Sequence, residues 1–284
     1  MRVPDTIANG AVFIGTLDRG KPRWKGTAFF ASIETEFSEH LYLVAPWHII
    51  KKFSGEWCTR VNTKAGGSKL ISSRSTRWYR HPYDKYADVA LHEWPDDPDQ
   101  DLYYCPAYML LTPEIETKES VAAGDDLVII SLFTRAIKDP QCNNPIVRSG
   151  TLSVSPPIPF PVRDPDDPNN QPSGSTELYL AETRSFGGIS GSPVYVFVSI
   201  QFKDNKYVFD PLGPCYLLGM MRSHWNIPED QLDEYDFATK EGINLGISLV
   251  TPAYKILETL NQSVLVERRA EIDAKRYGIV DDTK

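Results

Sequence analysis

The amino-acid sequence predicts an all-β protein with a helical C-terminus. The 22 prolines and 18 glycines of this 284-residue chain separate many short runs that are rich in β-branched and aromatic residues. Such a composition is typical of strands joined by turns. Helical periodicity is sparse before about the last forty residues, and the absence of a fixed short repeat excludes propellers and solenoids. Many short strands without a repeat indicate a barrel or a sandwich.

Several short segments have the composition of strands, and one helix follows them. The predicted strands are Ala11–Thr16, Gly26–Ser32, His40–Pro46, Val89–Glu93, Asp126–Leu132, Gly150–Val154, Glu177–Thr183, Pro193–Phe202, Cys215–Met221 and Ile243–Leu249. After Pro252, apolar residues recur at the spacing of an amphipathic helix. These residues are Tyr254, Ile256, Leu257, Leu260, Val264 and Leu265. The last part of this helix, residues 267–278, is highly charged and is expected to be solvated.

Three segments lack β-forming runs and are predicted to be irregular. Pro156–Ser175 is dense in Pro, Asp and Asn, and we expect a long exposed loop that is either mobile or functional. Asp204–Asp210 and Asn226–Lys240 are expected to be polar insertions of the same kind.

Composition and charge exclude several classes of protein. With 30 Lys and Arg against 38 Asp and Glu, the net charge is −8, which argues against binding to nucleic acid or to an anionic membrane. No apolar run reaches the roughly 20 residues of a membrane helix, and the N-terminal residues lack the apolar core of a signal peptide. The four scattered cysteines, Cys58, Cys105, Cys142 and Cys215, are expected to be reduced thiols in a cytoplasmic protein.

Three short segments, in chain order, carry residues suited to nucleophilic catalysis. An apolar strand ends at His48, an aspartate (Asp88) precedes the apolar run Val-Ala-Leu, and Ser190 lies in the glycine-rich turn Gly-Gly-Ile-Ser-Gly-Ser-Pro. A serine hydroxyl needs a base to take its proton, and histidine is nearly neutral at pH 7. A carboxylate that accepts the other ring N–H fixes the tautomer of the histidine. Taken singly, each residue is more simply explained as a core or turn residue, but together they form a candidate catalytic triad.

These segments resemble the trypsin/chymotrypsin-like serine proteases, and most of all their bacterial, disulfide-free branch. The likeness extends over about residues 10–262 and includes GTAFF at 26–30, the His and Asp segments, Gly124-Asp125-Asp126 and Ser149-Gly150-Thr151-Leu152. It ends with Leu218-Gly219-Met220-Met221 and Leu245-Gly246-Ile247-Ser248. The resemblance implies two six-stranded antiparallel β-barrels with the active site in the cleft between them. The implied division is an N-terminal barrel at 1–112, a C-terminal barrel at 113–262 and a helical tail at 263–284.

The resemblance also implies roles for individual residues. His48, Asp88 and Ser190 would be the catalytic triad, and the N–H groups of Gly188 and Ser190 would form the oxyanion hole. Ile189 stands where zymogen-activated members have an aspartate, so activation through that ion pair is not expected. Ile49 stands where a cysteine often follows the catalytic histidine, in agreement with a reducing compartment.

Four further residues are candidates for substrate binding. Arg184 lies six residues before Ser190, where the base of the specificity pocket can lie, and it would favour an acidic group there. The alternative for Arg184 is an exposed strand residue. Arg222, Ser223 and His224 fall on the edge strand that pairs with substrate in this family; for His224 the alternative is an exposed loop side chain. Three other histidines, His40, His81 and His92, are interpreted as structural.

The sequence therefore predicts a serine endopeptidase that acts on a polypeptide substrate without a cofactor or a metal ion. Because no zymogen ion pair is expected, such an enzyme could instead be kept latent until an activating protein partner binds. Two alternatives remain open, namely a protease-fold binding or scaffold module with an inactive site and, less in keeping with the pattern, an esterase that uses the same triad.

Overall fold

The structure is a computed structural model, and it describes residues 5–132, 141–163, 172–183, 188–198, 200–203, 206–209, 213–227 and 243–278. Strands dominate this part of the chain. They are β1 (Ala11–Asp18), β2 (Lys21–Glu34), β3 (Glu39–Ala45), β4 (Trp57–Asn62), β5 (Ser68–Ser73), β6 (Tyr79–Arg80), β7 (Ala90–Trp94), β8 (Tyr104–Pro106), β9 (Asp126–Ser131), β10 (Ile146–Arg163), β11 (Pro172–Glu182), β12 (Pro193–Phe197), β13 (Ile200–Lys203), β14 (Lys206–Phe209), β15 (Cys215–Ile227) and β16 (Ile243–Pro252).

Helices are few and short in the described residues. They are α1 (Asp5–Ala8), α2 (Trp47–Ile50), α3 (Pro113–Glu119), α4 (Ala253–Leu260) and α5 (Ser263–Tyr277), with a 3₁₀ turn at Ala107–Met109. None of these helices has the length and apolarity needed to cross a membrane.

The first sheet contains eight strands within the described residues. Its order is β5-β4-β1-β2-β3-β7-β6, with β8 placed parallel beside β2. The long strand β2 therefore lies at its centre and pairs with β1 and β3 in antiparallel register. An apolar core fills the space enclosed by these strands and is made of side chains such as Val12, Phe30, Leu43, Ile49 and Val61.

Six later strands close into a barrel in the order β10-β11-β16-β15-β12-β9. Closure pairs the first and last strands of the barrel, while β10 and β11 extend beyond the closed part as a hairpin. The interior contains apolar side chains that alternate along the strands, among them Leu127, Ile129, Val194, Leu218 and Val250. The small hairpin of β13 and β14 lies outside this barrel as a two-stranded sheet.

A third apolar cluster joins the first sheet, the barrel and the C-terminal helices. It combines Phe29, Val44 and Leu91 from the sheet with Ile130, Tyr195, Leu217 and Met220 from the barrel and Ile256, Leu260 and Leu265 from the helices. The two β structures are thus held face to face by a buried contact.

The all-β class with a C-terminal helix is confirmed, and the later strands form a closed six-stranded antiparallel barrel as predicted. The first sheet has eight strands instead of six, and β8 lies parallel to β2. Each predicted strand overlaps an observed one, although Pro193–Phe202 divides into β12 and β13. Strands β4, β5, β6 and β8 were not predicted. β5 and β6 stand at the two ends of the strand order of the first sheet, and β4 lies between β5 and β1.

The prediction of an exposed loop at Pro156–Ser175 is wrong for its described parts. Residues 156–163 continue β10 and residues 172–175 begin β11, and the two strands pair in a long hairpin. Beyond Thr151, β10 pairs with β11 alone in the described residues, because its pairing with β9 stops there. A strand edge without a second partner accepts prolines, which have no N–H to donate. Residues 164–171 lie outside the described residues.

Two other predictions need correction. Within Asp204–Asp210, residues 206–209 form strand β14 and the remainder lies outside the described residues. Asn226 and Ile227 end β15, and residues 228–242 are likewise not described. The charged end of α5 is not wholly solvated, because Arg269 and Asp273 are 5% and 2% exposed. Asp273 accepts hydrogen bonds from Thr35, Ser38 and His40, so this helix is attached to the hairpin of β2 and β3.

Candidate active site

His48 and Asp88 form a doubly bonded pair. Strand β3 ends at Ala45, and Pro46, which precedes helix α2, lets the chain turn so that His48 falls in the first turn of that helix. The backbone N–H of His48 donates to Asp88 Oδ1 at 2.7 Å, and His48 Nδ1 lies 2.5 Å from Asp88 Oδ2. The carboxylate thus fixes both the backbone and the ring of His48, which leaves Nε2 as the nitrogen available for another partner.

The carboxylate of Asp88 is buried while the ring of His48 is partly open to solvent. The side chains are 4% and 34% exposed, respectively. Burial alone would raise the pKa of Asp88, but the charge and hydrogen bonds of His48, with a further contribution from the charge of Arg222, hold it below its usual value. Asp88 is therefore ionised at neutral pH and can stabilise a positive charge on His48.

Ser190 lies in a tight turn formed by residues 188–191, which we call the nucleophile turn. Gly188 and Gly191 have φ angles of +101° and +92°, a region that favours glycine. The N–H of Gly191 donates to the carbonyl of Met221 at 2.7 Å, and the N–H of Ser192 donates to Ile189 O at 3.0 Å. The first of these bonds attaches the turn to strand β15 of the barrel, and the second closes the turn on itself.

The nucleophile turn also contacts the first sheet directly. The N–H of Thr27, on β2, donates to the carbonyl of Ser190 at 2.9 Å. A Cβ atom at Gly26 would lie 2.9 Å from that same carbonyl and would overlap the side chain of Ile49. The lack of a side chain at Gly26 is therefore what allows Ser190 to approach helix α2, in which Ile49 follows His48.

Gly191 makes a second close approach between the two β structures. A Cβ atom there would overlap the carbonyl oxygen of Thr27 and would lie 2.8 Å from Pro46 Cδ. Pro46 stands two residues before His48, so this end of the turn lies close to the segment that carries the histidine. Among the described residues, no hydrogen bond joins the side chains of Ser190 and His48.

A loop at residues 81–88, which we call the Asp88 loop, is held by the barrel and by helix α4. Asp84 Oδ2 accepts hydrogen bonds from Lys255 Nζ at 2.5 Å and from Thr176 Oγ1 at 2.6 Å. Asp84 Oδ1 accepts the N–H groups of Tyr86 and Ala87. Burial opposes ionisation of Asp84, but the hydrogen bonds and charge of Lys255 and the bond from Thr176 outweigh it and lower its pKa.

His81 provides a second attachment of the same loop. Its Nδ1 accepts the N–H groups of Tyr83 and Asp84, so the ring N–H must be on Nε2 when the histidine is neutral. Nε2 lies 2.6 Å from Glu258 on helix α4. The prediction that His81 is structural agrees with these contacts.

The residues predicted to bind substrate have different positions. Arg222 lies on β15, and its Nη1 donates to the carbonyl of Tyr86 in the Asp88 loop at 2.9 Å. Ser223 is half-buried and pairs with Leu249 of β16, and His224 pairs with Ser248 through the backbone. Arg184 lies outside the described residues. Substrate binding by these four residues stays a prediction. The observed partner of Arg222 is the carbonyl of Tyr86.

The remaining histidines pack inside the molecule. His40 contacts Asp273, and His92 packs against the rings of Trp57 and Trp78. Burial lowers the pKa of His92. In the described residues, no group of three or more His, Cys, Asp or Glu side chains is arranged to hold a metal ion.

Contacts that position the candidate site were not predicted from the sequence. Thr27 and Gly191 lie in segments that carried the family resemblance but were not expected to join the two β structures, and Lys255 belongs to no motif. The small side chains at the start of GTAFF, on the strand before the one that ends at His48, were the sequence signal that another segment could approach β2 closely.

Comparisons with known proteins leave the family of this chain unassigned. No protein-family model matches the sequence, and no curated protein matches it. Among solved structures, the chain is similar to two crystal structures of Rv3671c in its inactive form, one of them a serine-to-alanine mutant from M. tuberculosis H37Rv. Identity is 14% in both cases, with TM-scores of 0.47 and 0.48. The matches cover 90% of this chain and 87% and 89% of the others, and one of those structures is described as a protease.

Proposed function

We propose that this protein is a serine endopeptidase that hydrolyses peptide bonds through an acyl-enzyme, with His48, Asp88 and Ser190 as its triad. The observation that carries the proposal is the buried, doubly bonded Asp88–His48 pair beside a serine in a glycine turn. A carboxylate at 5% exposure needs a paired donor to stay ionised, so the pair alone is also compatible with a structural role. Nucleophilic catalysis supplies a reason for placing this pair next to Ser190.

In the proposed reaction, His48 acts first as a base and then as an acid. Its Nε2 takes the proton of Ser190 as the serine oxygen attacks the scissile carbonyl carbon, and the negative charge of Asp88 stabilises the resulting imidazolium. The carbonyl oxygen becomes an oxyanion, which would accept hydrogen bonds from the N–H groups of Gly188 and Ser190. Each such donor typically contributes about 10²–10³ in rate.

Collapse of the tetrahedral intermediate breaks the C–N bond and leaves an ester on Ser190. The proton held by His48 goes to the leaving amine, which departs as the first product. A water molecule then gives a proton to His48 and attacks the ester, and the same proton returns to Ser190 when the acid product leaves. The enzyme is restored without any cofactor in this scheme.

The main alternative is a protease-fold binding module with an inactive site, or a protease that a partner activates. One observation favours it, namely that the side chains of Ser190 and His48 share no hydrogen bond in the described residues. In unliganded enzymes such catalytic hydrogen bonds are often long and shorten only when substrate binds.

Labelling with a fluorescent fluorophosphonate separates these functions. This probe reacts with the serine of a formed triad, so the wild-type protein should be labelled and Ser190→Ala should not. Ser192→Ala is a matched control, because Ser192 lies two residues away and its hydroxyl is buried against Ser131 at 3.1 Å. We expect Ser192→Ala to be labelled like the wild type.

Turnover of a peptide library then tests the endopeptidase activity itself. Ser190→Ala should lower kcat by about 10⁶ without a change of fold. If the wild type neither reacts with the probe nor cleaves any peptide, the endopeptidase proposal fails and the inactive module is supported. If it reacts with the probe and hydrolyses esters but no peptide, the esterase is supported instead.

A further inference from the structure

Thr27 is a buried residue on which three separate segments meet. Its side chain is fully buried on strand β2. Its hydroxyl donates to the carbonyl of Gly188 at 3.3 Å and accepts the N–H of Leu132 at 3.4 Å. Its own N–H donates to the carbonyl of Ser190 at 2.9 Å. One residue of the first sheet therefore binds both the nucleophile turn and the end of strand β9.

These contacts attach both ends of the tripeptide from Gly188 to Ser190 to one residue. The carbonyl of Gly188 is bonded to the hydroxyl of Thr27, and the carbonyl of Ser190 is bonded to its N–H. Gly188 has a φ of +101°, and glycine has wide conformational freedom. A hydrogen bond from outside the turn is what selects one orientation of this residue.

We propose that Thr27 is a positioning residue for acyl transfer, because its hydroxyl holds the Gly188 carbonyl and so orients the N–H groups that receive the oxyanion. This inference rests on the proposed serine-protease function. Oxyanion stabilisation depends on donors that are aimed before the reaction begins. Loss of the hydroxyl would leave the Gly188 carbonyl free to rotate without removing any group that touches the substrate.

A purely structural role makes a different prediction. Buried threonine hydroxyls commonly satisfy main-chain groups, and Thr59 does so in the same sheet by donating to the carbonyl of Phe13 at 2.6 Å. Thr59 is also fully buried. Removing either hydroxyl should reduce stability by a similar small amount, but only the hydroxyl of Thr27 lies beside the proposed oxyanion site.

The test uses the isosteric substitution Thr27→Val, with Thr59→Val as the matched control. Hydrolysis of p-nitrophenyl acetate gives kcat and KM, and the rate of fluorophosphonate labelling reports the same site independently. We expect Thr27→Val to lower kcat by about 10- to 100-fold, less than the loss of a whole oxyanion donor, with KM changed by no more than about two-fold. Thr59→Val should retain the kcat of the wild type.

A second pair of variants covers the case in which Thr27→Val does not fold. Thr27→Ser and Thr27→Ala lose the same methyl group, but only the serine keeps a hydroxyl. The serine variant should keep kcat within about three-fold of the wild type, and the alanine variant should lose at least ten-fold more. Equal activity of the two would overturn the role of Thr27, as would wild-type kcat in Thr27→Val. A wild type that is inert to both reagents would instead refute the proposed function, and this inference with it.

Discussion

Substitution of Gly191 by alanine tests whether the two β structures meet at the nucleophile turn as described. Gly191 has a φ of +92°, and a Cβ atom there would overlap the carbonyl of Thr27 and lie 2.8 Å from Pro46 Cδ. Contacts closer than 3.0 Å are essentially never made by real Cβ atoms. Because two of the opposing groups are backbone and a proline ring, neither can rotate away.

The expected loss of stability has two parts. An L-residue at positive φ costs about 1–2 kcal/mol. Relief of the overlap requires the turn to move, which breaks the bonds from Thr27 N–H to Ser190 and from Gly191 N–H to Met221. Leaving buried groups unpaired costs about 1–3 kcal/mol each. We therefore expect Gly191→Ala to lower the free energy of unfolding by about 3–8 kcal/mol.

Gly20→Ala is the control for the backbone conformation alone. Gly20 has a φ of +76°, and a Cβ atom at that position would meet nothing within 4 Å. Its substitution should cost only about 1–2 kcal/mol. Urea unfolding followed by tryptophan fluorescence measures both values, and fluorophosphonate labelling should be lost in Gly191→Ala alone. If the two variants lose equal stability and label equally well, the described contact between the turn and β2 is wrong.

Three further predictions concern carboxylates. Asp88→Asn should lower the rate of ester hydrolysis by about 10⁴, since an amide stabilises the wrong tautomer of His48. Initial-rate kinetics measure this loss, and an unchanged rate would contradict the role of Asp88. Lys255→Met should lower the free energy of unfolding by about 1–3 kcal/mol, because the carboxylate of Asp84, whose side chain is only 21% exposed, would lose the cation that pairs with it; in urea unfolding, adding Asp84→Asn should recover part of that loss. Burial would raise the pKa of Asp273, but hydrogen bonds from its neighbours lower it. The ionised carboxylate therefore stabilises the fold above the unfolded-state pKa of about 4, and this stabilisation is lost as the pH falls through the lower folded-state pKa. The stability difference between the wild type and Asp273→Asn should therefore shrink between pH 5 and about pH 3, and a difference that stays constant in urea unfolding would contradict this account.

Strand composition predicted most of the fold, and its failures have physical causes. The hairpin of β10 and β11 was missed because proline and aspartate usually mark loops, whereas here the prolines lie where β10 has one partner in the described residues. Strand β5 was missed for a related reason. β5 is exposed and polar along much of its length, so it lacks the alternation that identifies a half-buried strand.

Helix α5 shows the same limit for charged residues. Its sequence predicts a solvated end, yet Arg269 donates to the hydroxyl of Tyr42 and Asp273 binds the hairpin of β2 and β3. A charge on a helix is solvated unless the fold offers it a buried partner, and periodicity within the helix contains no information about such a partner.

The sequence by itself determined which chemistry is available and in what local setting. A histidine after an apolar strand, an aspartate before another and a serine among glycines are local patterns, and backbone propensities act on neighbouring residues. Only the tertiary structure decided which distant groups meet. Thr27 bonds a residue 161 positions away, and Lys255 pairs with one 171 positions away. Such pairings depend on how the first sheet packs against the barrel, because burial and not sequence spacing determines which polar groups must satisfy one another.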